Sequence, residues 1–179
     1  MSAMSEESRH PYVELAKKAL ETFVLTGNVI LAPAPLPELF SRKAGCFVTL
    51  MENGELRGCI GTIEPVYDNL ALEIINNAIA AGTEDPRFPP VSAAELPFLQ
   101  YTVEVLGPLE KVDDLSELDP KVYGVVVQSS IRPLRKGVLL PDIEGVDTVQ
   151  DQIRICRLKA GISSSEPVIL YRFRTEKFR

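Results

Sequence analysis

Apolar residues recur at helical spacing near the start of the chain. Val13, Ala16, Leu20, Phe23 and Val24 form one stripe over Tyr12–Thr26, and Gly27 follows as a stop. Leu31–Pro37 holds three prolines and reads as an extended connector, and Leu36–Phe40 as a short helical turn. Two runs, Cys46–Glu52 and Glu55–Ile63, flank Asn53-Gly54. That dipeptide supplies the two positive φ angles of a two-residue hairpin turn. In the simplest register Met51 faces Leu56, Leu50 faces Arg57, Val48 faces Cys59 and Phe47 faces Ile60. One face then holds Val48, Leu50, Arg57 and Cys59, and the other Phe47, Met51, Leu56 and Ile60. Both faces are largely apolar, so the hairpin is expected inside a covered sheet.

The clearest helix is Tyr67–Gly82, capped by Asp68, with Leu70, Ile74, Ile75, Ala78 and Ile79 inward and Gly82 ending it. A proline-punctuated loop, Thr83–Val91, follows. Ser92–Glu95 is a capping-box pattern for one short turn halted by Pro97. Leu99–Leu106 alternates as a strand, with Tyr101, Val103 and Val105 on one side and Thr102 and Glu104 on the other. Leu115–Leu118 is a helical turn. Tyr123–Ser129 and Gly137–Leu140 are strands, Asp147 caps a helix running to Ala160 with Gly161 as its stop, and Val168–Thr175 is the closing strand. Hairpin-length links favour an α+β fold, a largely antiparallel sheet with flanking helices, over a doubly wound one. Residues 107–122 are the place where two lobes could separate.

Composition narrows the chemistry. The 179 residues are 45% hydrophobic, enough for one domain with a real core, and no apolar run reaches the length of a membrane span. Residues 1–11 are polar, lack a signal-type apolar stretch and are expected to be a disordered lead, which points to a cytoplasmic protein. Three cysteines, Cys46, Cys59 and Cys156, show no CxxC spacing, so neither a disulfide framework nor a zinc site is expected. The single histidine, His10, lies in the lead, which leaves acid–base work to carboxylates, tyrosine, lysine or an arginine-tuned thiol. No metal and no cofactor are expected. The net charge is −6, yet residues 132–179 carry 10 Lys/Arg against 6 Asp/Glu. This leaves room for a local anion site without suggesting a nucleic-acid binder.

The richest segment is Leu56-Arg57-Gly58-Cys59-Ile60-Gly61-Thr62. Glycine weakens a strand, so Gly58 and Gly61 around a thiol suggest that something approaches the backbone closely. Arg57, two residues from Cys59 with Cβ atoms about 7 Å apart, would favour the thiolate. Glu104 or Asp85 would pair with Arg57 or act as a general base. The structural alternative is a small buried cysteine beside a buried ion-pair anchor. In a binding module, Arg57 and Arg87 would grip an anionic group, and a ligand or partner strand would lie against the bare backbone. Cys46 falls diagonal to Cys59, about 7–8 Å away and too far for an unstrained disulfide. Arg154 and Arg157 could gather an anion with Arg172 and Arg174, or form an ordinary exposed face.

LRGCIGT at 56–62 resembles the signature of the AMMECR domain family. Asp85–Pro90 with Glu95-Leu96-Pro97 resembles its D-x-RFPP…ELP segment, Val138–Pro141 its LLLP strand, Lys159–Gly161 its KAG helix end, and Tyr171–Lys177 its closing strand. Where the family usually carries Gly-Trp-Asp, this chain has Gly145-Val146-Asp147. The resemblance covers residues 12–179 as a single AMMECR-type domain. It implies a larger and a smaller subdomain forming a cleft lined by the LRGCIGT strand. It also implies partners: a Memo-type protein resembling extradiol dioxygenases and a radical-SAM protein, in a shared modification pathway. Three functions follow as expectations. The first is a cysteine-dependent enzyme with Cys59 and Glu104 catalytic and Arg57, Gly58, Gly61, Asp85 and Arg87 binding substrate. The second is a non-catalytic ligand- or partner-binding module. The third is a scaffold for the Memo-type protein.

Overall fold

The structure, a computed structural model, describes residues 9–179. Most of the expected lead lies outside the described residues. Of its last positions, His10 and Pro11 begin the first helix. The chain divides into two units, one running to Val105 and rejoined by Lys177–Arg179, the other over Leu106–Glu176.

In the first unit, α1 (Pro11–Thr26) starts with proline, whose missing N–H costs nothing at a helix start. It ends at Gly27, whose φ of 75° suits the left-handed cap. His10 Nδ1 accepts a hydrogen bond from the Tyr12 N–H at 3.2 Å, and its ring packs on Tyr12 and Phe178. The sole histidine is therefore a capping residue. Strands β1 (Cys46–Glu52) and β2 (Glu55–Gly61) form the expected hairpin, with φ of 52° at Asn53 and 79° at Gly54. Helix α2 spans Leu70–Thr83. Its cap is Asn69, whose side chain accepts from the Leu72 N–H, and not the expected Asp68. Gly82 does not end the helix. It lies within the last turn against the Leu20 side chain, so its missing Cβ lets α1 and α2 pack closely. A 3-10 turn over Ala93–Phe98 accommodates Pro97 and carries the full Ser92/Glu95 capping box. Strand β3 is Leu99–Leu106, as expected.

The register of the hairpin differs from the simple one. Met51 pairs with Leu56, but Leu50 then pairs with Gly58, Thr49 with Cys59 and Val48 with Ile60. Arg57 is the extra residue of a β-bulge. A one-residue slip moves every later side chain to the other face. Cys59 therefore leaves the face of Val48 and Leu50 and joins Phe47, Thr49 and, from β3, Thr102 and Glu104. Cys46, Val48 and Leu50 face the helices and are fully buried, while Thr49 and Cys59 are half-buried, so only one face is apolar and covered. Cys46 and Cys59 stand on opposite faces, and all three cysteines are free.

Beneath the exit of β2, the buried Glu73 carboxylate accepts from Thr62 Oγ1 at 2.7 Å and from the N–H groups of Val66 and Tyr67. Asn77 donates to the Cys46 carbonyl at 3.0 Å. This polar network fixes where the signature strand leaves the sheet.

The second unit holds β4 (Glu110–Val112), β5 (Gly124–Ser129), β6 (Lys136–Leu139), α3 (Val149–Ala160) and β7 (Val168–Phe173). The cap of α3 is Thr148, not Asp147, whose carboxylate instead pairs with Lys121 at 3.0 Å. The expected closing strand is two strands, β7 and β8 (Thr175–Phe178), which belong to different sheets. Their orders are β2-β1-β3-β8 and β4-β7-β5-β6, and the pairings resolved within them are antiparallel. The fold is α+β, with α1 and α2 burying the core of the first unit and α3 that of the second.

Candidate functional site

The signature strand β2 is the edge of its sheet, and edge strands leave backbone N–H groups unpaired. Here the loop after α2 covers that edge. The Asp85 carboxylate, nearly fully buried, accepts from the Cys59 N–H at 2.9 Å and from the Arg87 N–H at 3.1 Å. The Arg87 fork closes on it through Nε at 3.1 Å and Nη2 at 2.8 Å, while its own side chain stays 55% exposed. Arg87 thus holds the Asp85 carboxyl far below the usual carboxylate range, helped by the two backbone donors and opposed by burial.

Arg57, displaced by the bulge, pairs with neither Glu104 nor Asp85. Its Nε donates to Glu95 Oε1 at 2.7 Å and its Nη2 to Oε2 at 3.3 Å, with Glu52 at 3.8 Å. Glu95 also accepts from the Ser92 N–H and hydroxyl, and Arg57 first, then Ser92, bring its carboxyl down to about 2. The guanidinium carbons of Arg57 and Arg87 lie 5.9 Å and 5.5 Å from the centre of the Phe88 ring. Sequence reading missed Glu95 and Phe88 as members of this cluster. The signal was present in part, since the capping box marked Glu95, but a local motif does not say which distant cation its second oxygen meets.

The space beside the two signature glycines is taken up by the chain itself. A Cβ on Gly58 would drive into the carbonyl of Ala81 near the end of α2, and one on Gly61 into the Phe47 ring and the Cys46 carbonyl. Gly137 on the edge strand β6 receives the Cys156 carbonyl of α3 in the same way. In each unit a glycine on an edge strand lets a helix carbonyl come close.

Cys59 Sγ lies 3.2 Å from Thr49 Oγ1. Burial pushes the thiol up, and the charges of Glu104 and Asp85 add to that. The Thr49 hydrogen bond and the Arg87 charge work the other way without reversing it. Glu104, buried on the same face, pairs loosely with Lys177 at 3.7 Å. The structure therefore brings Cys59, Asp85 and Arg87 into one hydrogen-bonded group, places Glu104 on the face of Cys59, and assigns Arg57 to Glu95. Native alkylation by iodoacetamide checks the thiol. Cys59 is expected to react alone, with a half-point above the ordinary thiol value of about 8.5. Cys46 and Cys156, buried and pushed up to about 12, are expected to stay silent. A half-point below 8 for Cys59 would show a cation-activated thiolate instead.

Among the described residues no group of three or more His, Cys, Asp or Glu side chains is placed to hold a metal ion, and no helix is long and apolar enough to cross a membrane. Arg154 and Arg157 do not gather with Arg172 and Arg174. Arg154 pairs with Asp151, whereas Arg172 and Arg174 stack on Tyr123 and Arg172 pairs with Glu110.

The AMMECR1 family model matches residues 13–178. A protein of Thermotoga maritima is 54% identical over 95% of this chain and 98% of its own length. One from Methanothermobacter thermautotrophicus is 36% identical over 98% and 95%. Among solved structures, the uncharacterized protein PH0010 from Pyrococcus horikoshii superposes with a TM-score of 0.84 at 32% identity, covering 93% of this chain and 88% of that one.

Proposed function

The chain belongs to the AMMECR1 family, and from that premise we propose that it is a non-catalytic binding module. Its recognition surface is the outward face of β1, β2 and β3, and its ligand is a polar group rather than an electrophile awaiting a thiol. The observation that carries this reading is the state of Cys59. Its sulfur lies within hydrogen-bonding distance of the Thr49 hydroxyl, its N–H is already spent on Asp85, and the one histidine sits at the start of α1. A nucleophilic cysteine needs a base or a lowered pKa, and burial here works against ionisation. The same face offers the Thr49 and Thr102 hydroxyls, the Cys59 thiol and the Glu104–Lys177 pair. These groups both donate and accept, which suits a neutral or zwitterionic polar group.

The two arginines support this surface from the edge strand and the loop that covers it. Each guanidinium is matched by a carboxylate, so Arg57 and Arg87 hold the loop and strand in place more than they offer free positive charge. The Memo-type and radical-SAM proteins are the partners the family resemblance supplies, and co-purification with the tagged chain tests that association.

A thermal-shift screen against polar metabolites and short peptides tests the module directly. For a compound that shifts the wild type, Cys59→Ser is expected to keep affinity within about threefold, because a hydroxyl replaces the thiol as hydrogen-bonding group. Glu104→Gln, which removes the buried charge facing the ligand, is expected to weaken it by at least about tenfold. Turnover of any bound compound that Cys59→Ser abolishes, with binding intact, would establish the enzyme reading instead.

A further inference from the structure

We propose that an apolar groove along α3, with the arginines around it, docks an acidic amphipathic segment of a partner protein. The groove, about 310 Å³, is lined by Ile153, Leu158, Ile162 and the stems of Arg154 and Arg157. Leu158 is 70% exposed between two basic residues, although an exposed position on a helix asks for no leucine. The loop of residues 130–135 is fastened to the same turn that borders the groove. The Ser130 N–H donates to the Pro167 carbonyl, Arg132 pairs with Glu166, and Arg135 donates to the Gly161 carbonyl. That fastening sets Ile131 and Leu134, 67% and 97% exposed, on the loop that carries these cations. An apolar groove lined by an exposed leucine marks an interaction surface.

Charge selects the partner. Arg157 is held by the Ser163 and Glu166 carbonyls, Arg135 by that of Gly161 and Lys159 by that of Val138. Carbonyl oxygens fix the direction of a cation without neutralising it. Among the described residues these three have no carboxylate within ion-pair distance, whereas Arg132 and Arg154 beside them do. In a chain of net charge −6, this surface is positive. A second copy docking through the same patch would set like charges against each other. A free anion would use the guanidinium groups and leave Leu158 unexplained. An amphipathic helix with apolar side chains at i, i+3, i+4 and i+7 and acidic flanks uses both features.

The test is fluorescence anisotropy of the full chain with a labelled Leu/Glu amphipathic peptide of about four helical turns. Controls are the same peptide with Lys for Glu, the same with Ala for Leu, and vesicles containing phosphatidylserine. The Leu/Glu peptide is expected to bind and both control peptides to fail. Leu158→Glu and Arg154→Glu, both at exposed side chains, are each expected to weaken binding by at least about tenfold. Raising salt from about 50 to about 300 mM is expected to weaken it by a similar factor. Failure of the Leu/Glu peptide, equal binding by the Lys or Ala peptide, or indifference to Leu158→Glu would overturn the proposal. Vesicle binding without peptide binding would assign the surface to lipid, and a chain dimer dissolved by Leu158→Glu would assign it to a second copy.

Discussion

Replacing Asp85 by alanine is expected to cost about 3 kcal/mol of stability at neutral pH, a fall of about 6–12 °C in Tm for a chain of this size. The carboxylate accepts four hydrogen bonds, and one of them holds the Cys59 N–H at the sheet edge. Without it, that donor is left unpaired beneath the loop, and the loop loses its anchor. Arg87→Ala is expected to cost about 2 kcal/mol, less than the loss of Asp85 itself, because the buried carboxylate then loses its cation but keeps its two backbone donors. The acid dependence has a definite sign. The folded carboxyl is depressed by Arg87, so its contribution is complete above the ordinary carboxylate value of about 4 and is lost as pH falls toward the folded value. Glu95, brought down to about 2 chiefly by Arg57, adds a loss between the ordinary value of about 4.3 and that level. Urea unfolding at neutral pH and near pH 2.5 reads both effects. The gap between wild type and Asp85→Ala should narrow in acid, and a gap of constant size would refute the linkage.

Gly58→Ala is expected to be at least as damaging, at about 3 kcal/mol or more. The added Cβ would overlap a main-chain carbonyl, that of Ala81, which cannot rotate aside as a side chain can. Either β2, which carries Cys59, or the end of α2, which leads into the loop holding the Cys59 N–H, must move. Gly54→Ala separates crowding from backbone strain. Its φ is 79° but nothing lies within 4 Å, so only the left-handed cost of about 1 kcal/mol applies. Denaturant unfolding of both variants decides the matter. A Gly58→Ala cost no larger than that of Gly54→Ala would mean that α2 yields freely at this contact.

The elements were legible wherever the cause is local. The stripe of α1, the Asn53-Gly54 turn, the alternation of β3 and the glycine after α3 each depend on neighbours a few residues away, and each stands where the pattern put it. Caps were the weakest local reading. At both α2 and α3 two adjacent polar residues could serve, and the observed cap is the second of each pair, Asn69 and Thr148. Strand β4 was missed because three residues, two of them charged, carry no alternation.

The site was legible as a set of residues and not as a set of contacts. Leu56, Cys59 and Ile60 satisfy the hairpin in either register, so the pattern does not reveal the bulge at Arg57. That single extra residue turns Cys59 from the core face to the outward one and sends Arg57 to Glu95. The glycines announced a close approach, but only the packing of α2 on β2 identifies the Ala81 carbonyl as what approaches.

By itself, the amino-acid order determined the α+β class, the family, and which residues would matter, because periodicity, turn chemistry and short motifs are properties of near neighbours. The tertiary structure decided which carboxylate meets Arg57, which face carries the thiol, and that burial pushes its pKa up where a neighbouring arginine alone would have lowered it. The Asp85 bond to the Cys59 N–H, the Glu95 pairing of Arg57 and the Glu104 charge near the thiol join residues 26 to 45 positions apart, and no local pattern encodes such distances.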